Sequence, residues 1–184
     1  MKRSQRMAVL TLLDREMLRR GSWAGETHIQ KGTFFLQDLM GVDLGFDFLL
    51  YRHGPFSFDL RDELSCMQAD DLFALVVRNE RYGPTFVPTE FSEVFLERFP
   101  KTRTRYGKQI EFVAAELGDM GVVELEKLAT AFYLRKHLDD EAIEGRARLL
   151  TELKPHISLL DARSACSQAE RLVERARPLI LEAA

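Results

Sequence analysis

Apolar residues recur at helical spacing along most of this chain, and short aromatic or β-branched runs interrupt that period in its first half. Glycine or proline follows several of the periodic stretches, as at Gly21, Gly41 and Pro100, and marks where a helix stops. The pattern predicts helices over residues 4–20, 27–40, 58–69, 90–99, 106–117, 122–138, 139–153 and 158–182. We therefore expect a mainly α protein.

Two segments of the first half predict β structure. Residues 46–51 are rich in aromatic side chains and predict a strand. His53–Ser57 predicts a turn into the third helix, with Ser57 as the N-cap. After that helix, Leu72–Arg78 and Thr85–Thr89 predict the two strands of a hairpin. Helix, strand, turn and strand in this order are typical of the end of a winged-helix unit.

This order predicts a winged-helix-like unit over residues 1–90 and a C-terminal helical bundle over residues 91–184 that packs on it, although one continuous domain fits as well. A narrow apolar stripe on the last helix fits either the intramolecular core or a homodimer through that helix. The stripe consists of Ala162, Ala165, Ala169, Leu172 and Val173.

Composition narrows the class of protein. The chain has 184 residues, of which 46% are hydrophobic and 30% charged, enough for a real core. The net charge of −3 disfavours a nucleic-acid-binding role without excluding a local basic patch. Cys66 and Cys166 form no Cys-x-x-Cys pair and predict free, buried thiols. The short apolar runs near the N-terminus predict neither a signal peptide nor a membrane span, so we expect a cytoplasmic protein.

No motif for a nucleophile, a phosphate loop or a cofactor is found, so we expect no catalytic residues and no cofactor. His53 follows Arg52 beside the start of a helix, an arrangement that suits either an anion site or a polar turn. A cluster of acids offers oxygen ligands for a divalent cation, but it fits a solvated helix face better. This acidic cluster consists of Asp59, Asp62, Glu63, Asp70 and Asp71.

Nucleic-acid contacts have two candidate sources. Acids on the third helix oppose its insertion into a groove, because each carboxylate repels phosphate. The predicted wing and a predicted basic loop over residues 98–108 offer cations instead. The candidate contacts are Arg78, Arg81, Lys101, Arg103 and Arg105.

Several short motifs together resemble the YwgA-like group of prokaryotic proteins and, more distantly, the Panacea (SocA-like) antitoxin-associated domain. They are Gln30-Lys-Gly-Thr-Phe-Phe-Leu36, Gly54-Pro-Phe-Ser57, Tyr82-Gly-Pro84, the segment Glu124–Tyr133 and Leu153-Lys-Pro155. Both groups place a tyrosine before the Gly-Pro of the second motif, where this chain has His53.

The resemblance implies a non-catalytic regulatory or adaptor protein of a bacterial toxin–antitoxin or antiphage type, because Panacea-type domains neutralise toxins by direct protein contact. A winged-helix transcriptional regulator and a metal-dependent enzyme built on the acidic cluster are the alternatives. The residues expected to fix the turn or to offer a partner surface are Gln30, Lys31, Arg52, His53, Pro55, Phe56 and Ser57.

Overall fold

A computed structural model describes residues 1–79, 83–138 and 142–183, and within these ranges it has eight helices and two short hairpins. The helices are α1 (Arg3–Arg19), α2 (Glu26–Asp38), α3 (Phe58–Ala69), α4 (Glu90–Glu97), α5 (Pro100–Leu117), α6 (Val122–His137), α7 (Ile143–Leu153) and α8 (Leu159–Ala183). The strands are β1 (Leu49–Tyr51), β2 (Gly54–Phe56), β3 (Phe73–Val76) and β4 (Thr85–Pro88). The mainly α fold class with small hairpins is confirmed.

The chain divides into two compact units. Unit 1 comprises Met1–Phe48 and Ser57–Met120, and unit 2 comprises Leu49–Phe56 and the chain from Gly121 onward. This division differs from the predicted boundary at residue 90 because α5 packs on α1 and α2, which places it in unit 1. The β1–β2 hairpin belongs to unit 2 because β2 packs on α6.

The core of unit 1 forms where α1 meets α2 and α5. Leu10, Leu13 and Phe34 are among its fully buried side chains. Gly32 allows α2 to approach α1 closely, since a Cβ there would lie 3.1 Å from atoms of both Leu13 and Met17. Three helices and then the β3–β4 hairpin follow one another along unit 1, which is the predicted order.

The strand β4 joins β3 on one side and a neighbouring loop on the other. β3 and β4 are antiparallel, with Phe73 opposite Pro88 at one end and Val76 opposite Thr85 at the other. On the far side, the Phe86 N–H donates to the Ala24 carbonyl at 2.9 Å. Both edges of β4 therefore make hydrogen bonds, whereas β3 pairs with β4 alone among the described residues.

Two predicted local structures are wrong. The predicted basic loop is helical from Pro100, because proline suits the first turn of a helix as well as it stops a preceding one. The predicted turn His53–Ser57 is largely the strand β2, and the reversal lies at Arg52 and His53. Gly54 has a φ of +82°, a left-handed conformation that glycine adopts readily.

In unit 2, α8 packs against α6 and α7. Four of the five residues in its predicted stripe are almost fully buried, from Ala162 at 0% exposed to Ala165 at 4%, and only Val173 is half-buried. The stripe is therefore filled within the unit and does not support a homodimer, and the homodimer through the C-terminal helix stays a prediction.

The two thiols differ in exposure. Cys166 is buried, as predicted, but Cys66 is exposed, because it lies on the face of α3 that points away from the buried Leu64 and Met67. Within the described ranges, no helix combines the length and the apolar character needed to cross a membrane.

Candidate functional site

The predicted residues Gln30 and Ser57 meet inside unit 1. The Gln30 side-chain amide donates to the Ser57 carbonyl and its oxygen accepts from the Ser57 N–H, both at 2.9 Å. Ser57 also caps α3, because its hydroxyl oxygen accepts from the Leu60 N–H at 3.3 Å. Gln30 thus fixes the chain at the start of α3, which is one of the two roles predicted for it.

The same residues do not form a contact surface. Gln30 and Ser57 are fully buried and Lys31 is only 1% exposed. A partner cannot reach side chains that are closed off by their own core. The predicted polar contact surface is therefore wrong for these three residues.

The other predicted turn residues lie on the β1–β2 hairpin of unit 2. Arg52 and His53 are exposed, Pro55 is buried opposite Leu50, and Phe56 is half-buried. The Phe56 ring lies 5.8 Å from that of Tyr51, centroid to centroid. These contacts hold the hairpin together, while its reversal, Leu49 and Tyr51 are exposed.

The buried carboxylate of Glu126 on α6 lies close to three basic side chains. We call these four residues the Glu126 cluster: Glu126, His53, Lys154 and His156. Glu126 Oε2 lies 3.3 Å from His53 Nδ1, and its Oε1 lies 3.4 Å from His156 Nε2 and 3.5 Å from Lys154 Nζ. The Glu126 side chain is 6% exposed, whereas the two histidine side chains are 68% and 58% exposed. Glu126 therefore links the hairpin to the segment after α7.

Lys154 stabilises the β1–β2 hairpin by hydrogen bonds to its backbone. Its ammonium donates to the Tyr51 carbonyl at 2.6 Å and also to the Arg52 carbonyl, so both acceptors beside the reversal are satisfied. A buried ammonium next to a buried carboxylate avoids an uncompensated charge. Glu126 gives His53 a partner within unit 2, which supports the polar-turn interpretation of that residue.

Neither Glu126 nor Lys154 was predicted from the sequence as a site residue. Their signal was an acid within the apolar face of α6 and a lysine in the motif Leu153-Lys-Pro155, which entered only as part of a resemblance. Neither spacing nor composition shows that residues so far apart in the sequence meet.

The acidic residues around α3 do not converge on a cation. Asp59 and Asp62 are exposed, and Asp70 lies 3.6 Å from the Arg3 guanidinium. Glu63 is buried and accepts from both Arg3 and Arg6 at 2.9 Å. Across residues 1–79, 83–138 and 142–183, no three acidic, histidine or cysteine side chains are grouped so as to hold a metal ion.

The candidate nucleic-acid contacts lie on the surface of unit 1. Lys101, Arg103 and Arg105 are exposed on the first turns of α5, and the Arg105 guanidinium lies 5.2 Å from the centre of the Tyr106 ring. Arg78 is exposed just after β3. Arg81 lies outside the described residues.

The most unusual surface of unit 1 is an aliphatic strand. Leu75, Val76 and Val77 are 40%, 41% and 65% exposed, although large aliphatic side chains are most often buried. No charged residue and no proline interrupts the sequence from Leu72 to Val77. The sequence predicted this strand but gave no signal that it lies uncovered.

The backbone of β3 faces β4 at alternate residues. The Thr89 N–H donates to the Leu72 carbonyl at 3.2 Å, which makes this a hydrogen-bonded pair. By alternation, Ala74 and Val76 also face β4, while the N–H and C=O groups of Phe73, Leu75 and Val77 point the other way. Phe73 is only 1% exposed, so this side is open from Leu75 to Val77, and we call that stretch the outer edge of β3.

No protein-family model matches this chain, and no curated protein matches its sequence.

Proposed function

We propose that this chain is a non-catalytic regulatory or adaptor protein, of the toxin–antitoxin or antiphage-defence type, that acts by direct contact with protein. One observation carries the proposal: β3 leaves Leu75, Val76 and Val77 in solvent beside an outer edge that has no partner strand among the described residues. Proteins usually guard such edges with charged residues, proline or a bulge. β3 is short, at four residues, but no charged residue and no proline lies within it, and an exposed aliphatic edge of this kind is typical of a surface that another chain covers.

The Glu126 cluster favours a structural role over a reaction centre. The Glu126 carboxylate is engaged by Lys154 and by both histidines, and the lysine in turn holds backbone carbonyls. These contacts secure the hairpin of unit 2.

The test is capture in the native host with three forms of the tagged chain: wild type, Leu75→Lys and Leu160→Lys. Leu75 is on the outer edge of β3, and Leu160, at 76% exposed on α8, is the matched control. The proposal predicts a stoichiometric protein partner for wild type and Leu160→Lys that is lost with Leu75→Lys, because an ammonium blocks strand addition. Equal capture by all three forms, or no stoichiometric partner, would overturn it.

A second candidate function is nucleic-acid binding by a winged-helix regulator. Lys101, Arg103 and Arg105 favour it, because all three are exposed on the first turns of α5, and the first turn of that helix contains no acidic residue. Glu93 and Glu97 of α4 line the same pocket as Arg103 and offset part of its charge. Cations at the positive end of a helix dipole attract phosphate strongly.

Duplex affinity at several salt concentrations tests this second function. Replacing the three cations with glutamine should weaken binding and lower the slope of log affinity against log salt by about 0.9 for each phosphate that the protein no longer neutralises. Binding that is weak at low salt and equal in the triple variant would remove this candidate.

A further inference from the structure

We propose that unit 1 binds a small zwitterion with an apolar side chain, either a free amino acid or a dipeptide, in a pocket between α1, α4 and the start of α5. The pocket has a volume of about 420 Å³, which lies within the range of about 300–1,000 Å³ that is usual for small-molecule sites. We call it the α4–α5 pocket. A site for a small molecule goes beyond the proposed protein contact and does not depend on β3.

Four apolar residues line the α4–α5 pocket. They are Leu12 of α1, Leu96 of α4, and Phe99 and Pro100 where α4 leads into α5. The Phe99 ring lies 4.9 Å from that of Phe95, centroid to centroid, so Phe95 supports it. These residues suit the apolar side chain of a ligand, because its burial against them removes apolar surface from water.

Two of the four charged residues in the pocket pair with each other. Arg15 Nη1 donates to both carboxylate oxygens of Glu93, at 3.1 and 3.0 Å. The Arg15 side chain is only 14% exposed, and this ion pair joins α1 to α4. The charges of Arg15 and Glu93 are therefore balanced within the protein.

The other two charged residues are not paired. Glu97 and Arg103 line the same pocket, yet within the described ranges neither forms an ion pair with the other or with a third side chain. An anion and a cation that line one pocket without contacting each other match a ligand that carries both an ammonium and a carboxylate. A ligand with a single charge would pair with only one of them.

The helix ends make such a ligand more favourable. Glu97 is the last residue of α4, where the helix dipole is negative, and Arg103 lies in the first turn of α5, where it is positive. Each side chain therefore has the same sign as its own helix end, an arrangement that lowers stability. A ligand ammonium beside Glu97 and a ligand carboxylate beside Arg103 would each meet a side chain and a helix end of opposite charge.

Isothermal titration calorimetry of the full chain tests the ligand class with four probes. L-Leucine and leucyl-leucine carry both charges, whereas isocaproate lacks the ammonium and isoamylamine lacks the carboxylate. One of the two zwitterions should bind about tenfold more tightly than either singly charged probe, because it pairs with both side chains. The zwitterion that binds more tightly identifies the source as an amino acid or a dipeptide.

Two variants test the role of each charge. Arg103→Gln should bind the zwitterion no more tightly than isoamylamine, and Glu97→Gln should bind it no more tightly than isocaproate, because each variant loses one of the two ion pairs. The controls are Glu90→Gln on α4 and Arg105→Gln on α5, which replace exposed residues outside the pocket and should bind as wild type does.

The results separate this pocket from the two candidate functions. The inference is overturned if neither zwitterion binds, if the singly charged probes bind wild type as tightly, or if Glu97→Gln and Arg103→Gln bind as the controls do. Leu75→Lys should bind the zwitterion as wild type does, so the contact function of β3 can fail while this site stands. Arg105→Gln should weaken duplex binding if α5 contacts nucleic acid, but it should not weaken binding of the zwitterion.

Discussion

Asp14 lies on α1 in the core of unit 1, and its replacement by asparagine should stabilise the protein at neutral pH. The side chain is fully buried, and neither carboxylate oxygen has a hydrogen-bond donor among the described residues. Burial raises the pKa of this carboxyl well above its ordinary value of 3.8, and the charge of Arg78 offsets only part of that effect. Between pH 3.8 and that raised pKa, the folded state therefore holds a proton that the unfolded chain releases.

The size of the effect follows from the linkage between protonation and folding. Because the pKa of Asp14 is raised in the folded state, protonation of Asp14 adds to the free energy of unfolding. This contribution is complete below pH 3.8 and is lost as the pH rises to the folded-state pKa. Over that interval the free energy of unfolding falls by about 1.4 kcal/mol per pH unit, and it is constant above it. Asparagine does not titrate, so the stability of Asp14→Asn relative to wild type should increase by the same amount for each pH unit over that interval.

Urea unfolding of both proteins between about pH 4 and pH 8 measures this difference, because all other titrating groups are shared and cancel. The control Asp47→Asn replaces an exposed carboxyl and should change stability little at any pH. A difference between Asp14→Asn and wild type that does not change with pH, or that falls as pH rises, would refute the reasoning. It would mean that a donor reaches the Asp14 carboxylate in solution.

Three further predictions concern single side chains. Gln30→Ala should lower the free energy of unfolding by at least about 2 kcal/mol in urea titrations, because a buried N–H and C=O at the start of α3 lose their partners; a loss below about 0.5 kcal/mol would contradict it. Lys154→Met should lower the free energy of unfolding by about 3–5 kcal/mol in the same assay, since it leaves the buried Glu126 charge without its lysine partner. Adding Glu126→Gln should recover part of that loss. A thiol reagent should modify Cys66 in the native protein and Cys166 only after unfolding, because Cys166 is buried and burial raises its pKa; two reactive native thiols would be the contrary result.

The helices could be predicted because an apolar face repeats over many residues and needs no knowledge of its neighbours. The predicted range of α3, 58–69, coincides with its bounds in the structure. Pro100 shows the limit of this signal, since proline both ends one helix and begins the next. The β1–β2 hairpin was not predicted for a related reason. Its strands have three residues each, too few to show a recognisable alternation of apolar and polar residues.

The candidate sites were harder to predict because burial is a tertiary property. Gln30 is polar, and nothing local shows that its amide lies inside the core with both bonds satisfied by Ser57. Leu75 gives the opposite case, because an aliphatic residue in a strand is ordinarily buried but here remains in solvent. Glu126 and Lys154 meet only because α6 and the segment after α7 pack together.

Amide hydrogen exchange resolved along β3 tests the contact surface most directly. In the free protein, the amide of Leu75 should exchange rapidly, whereas those of Ala74 and Val76, which face β4, should be protected. Adding the protein partner captured from the host should then protect Leu75 as the partner covers the edge. A Leu75 amide that is already protected in the free protein, or that exchanges equally fast with and without the partner, would contradict the account.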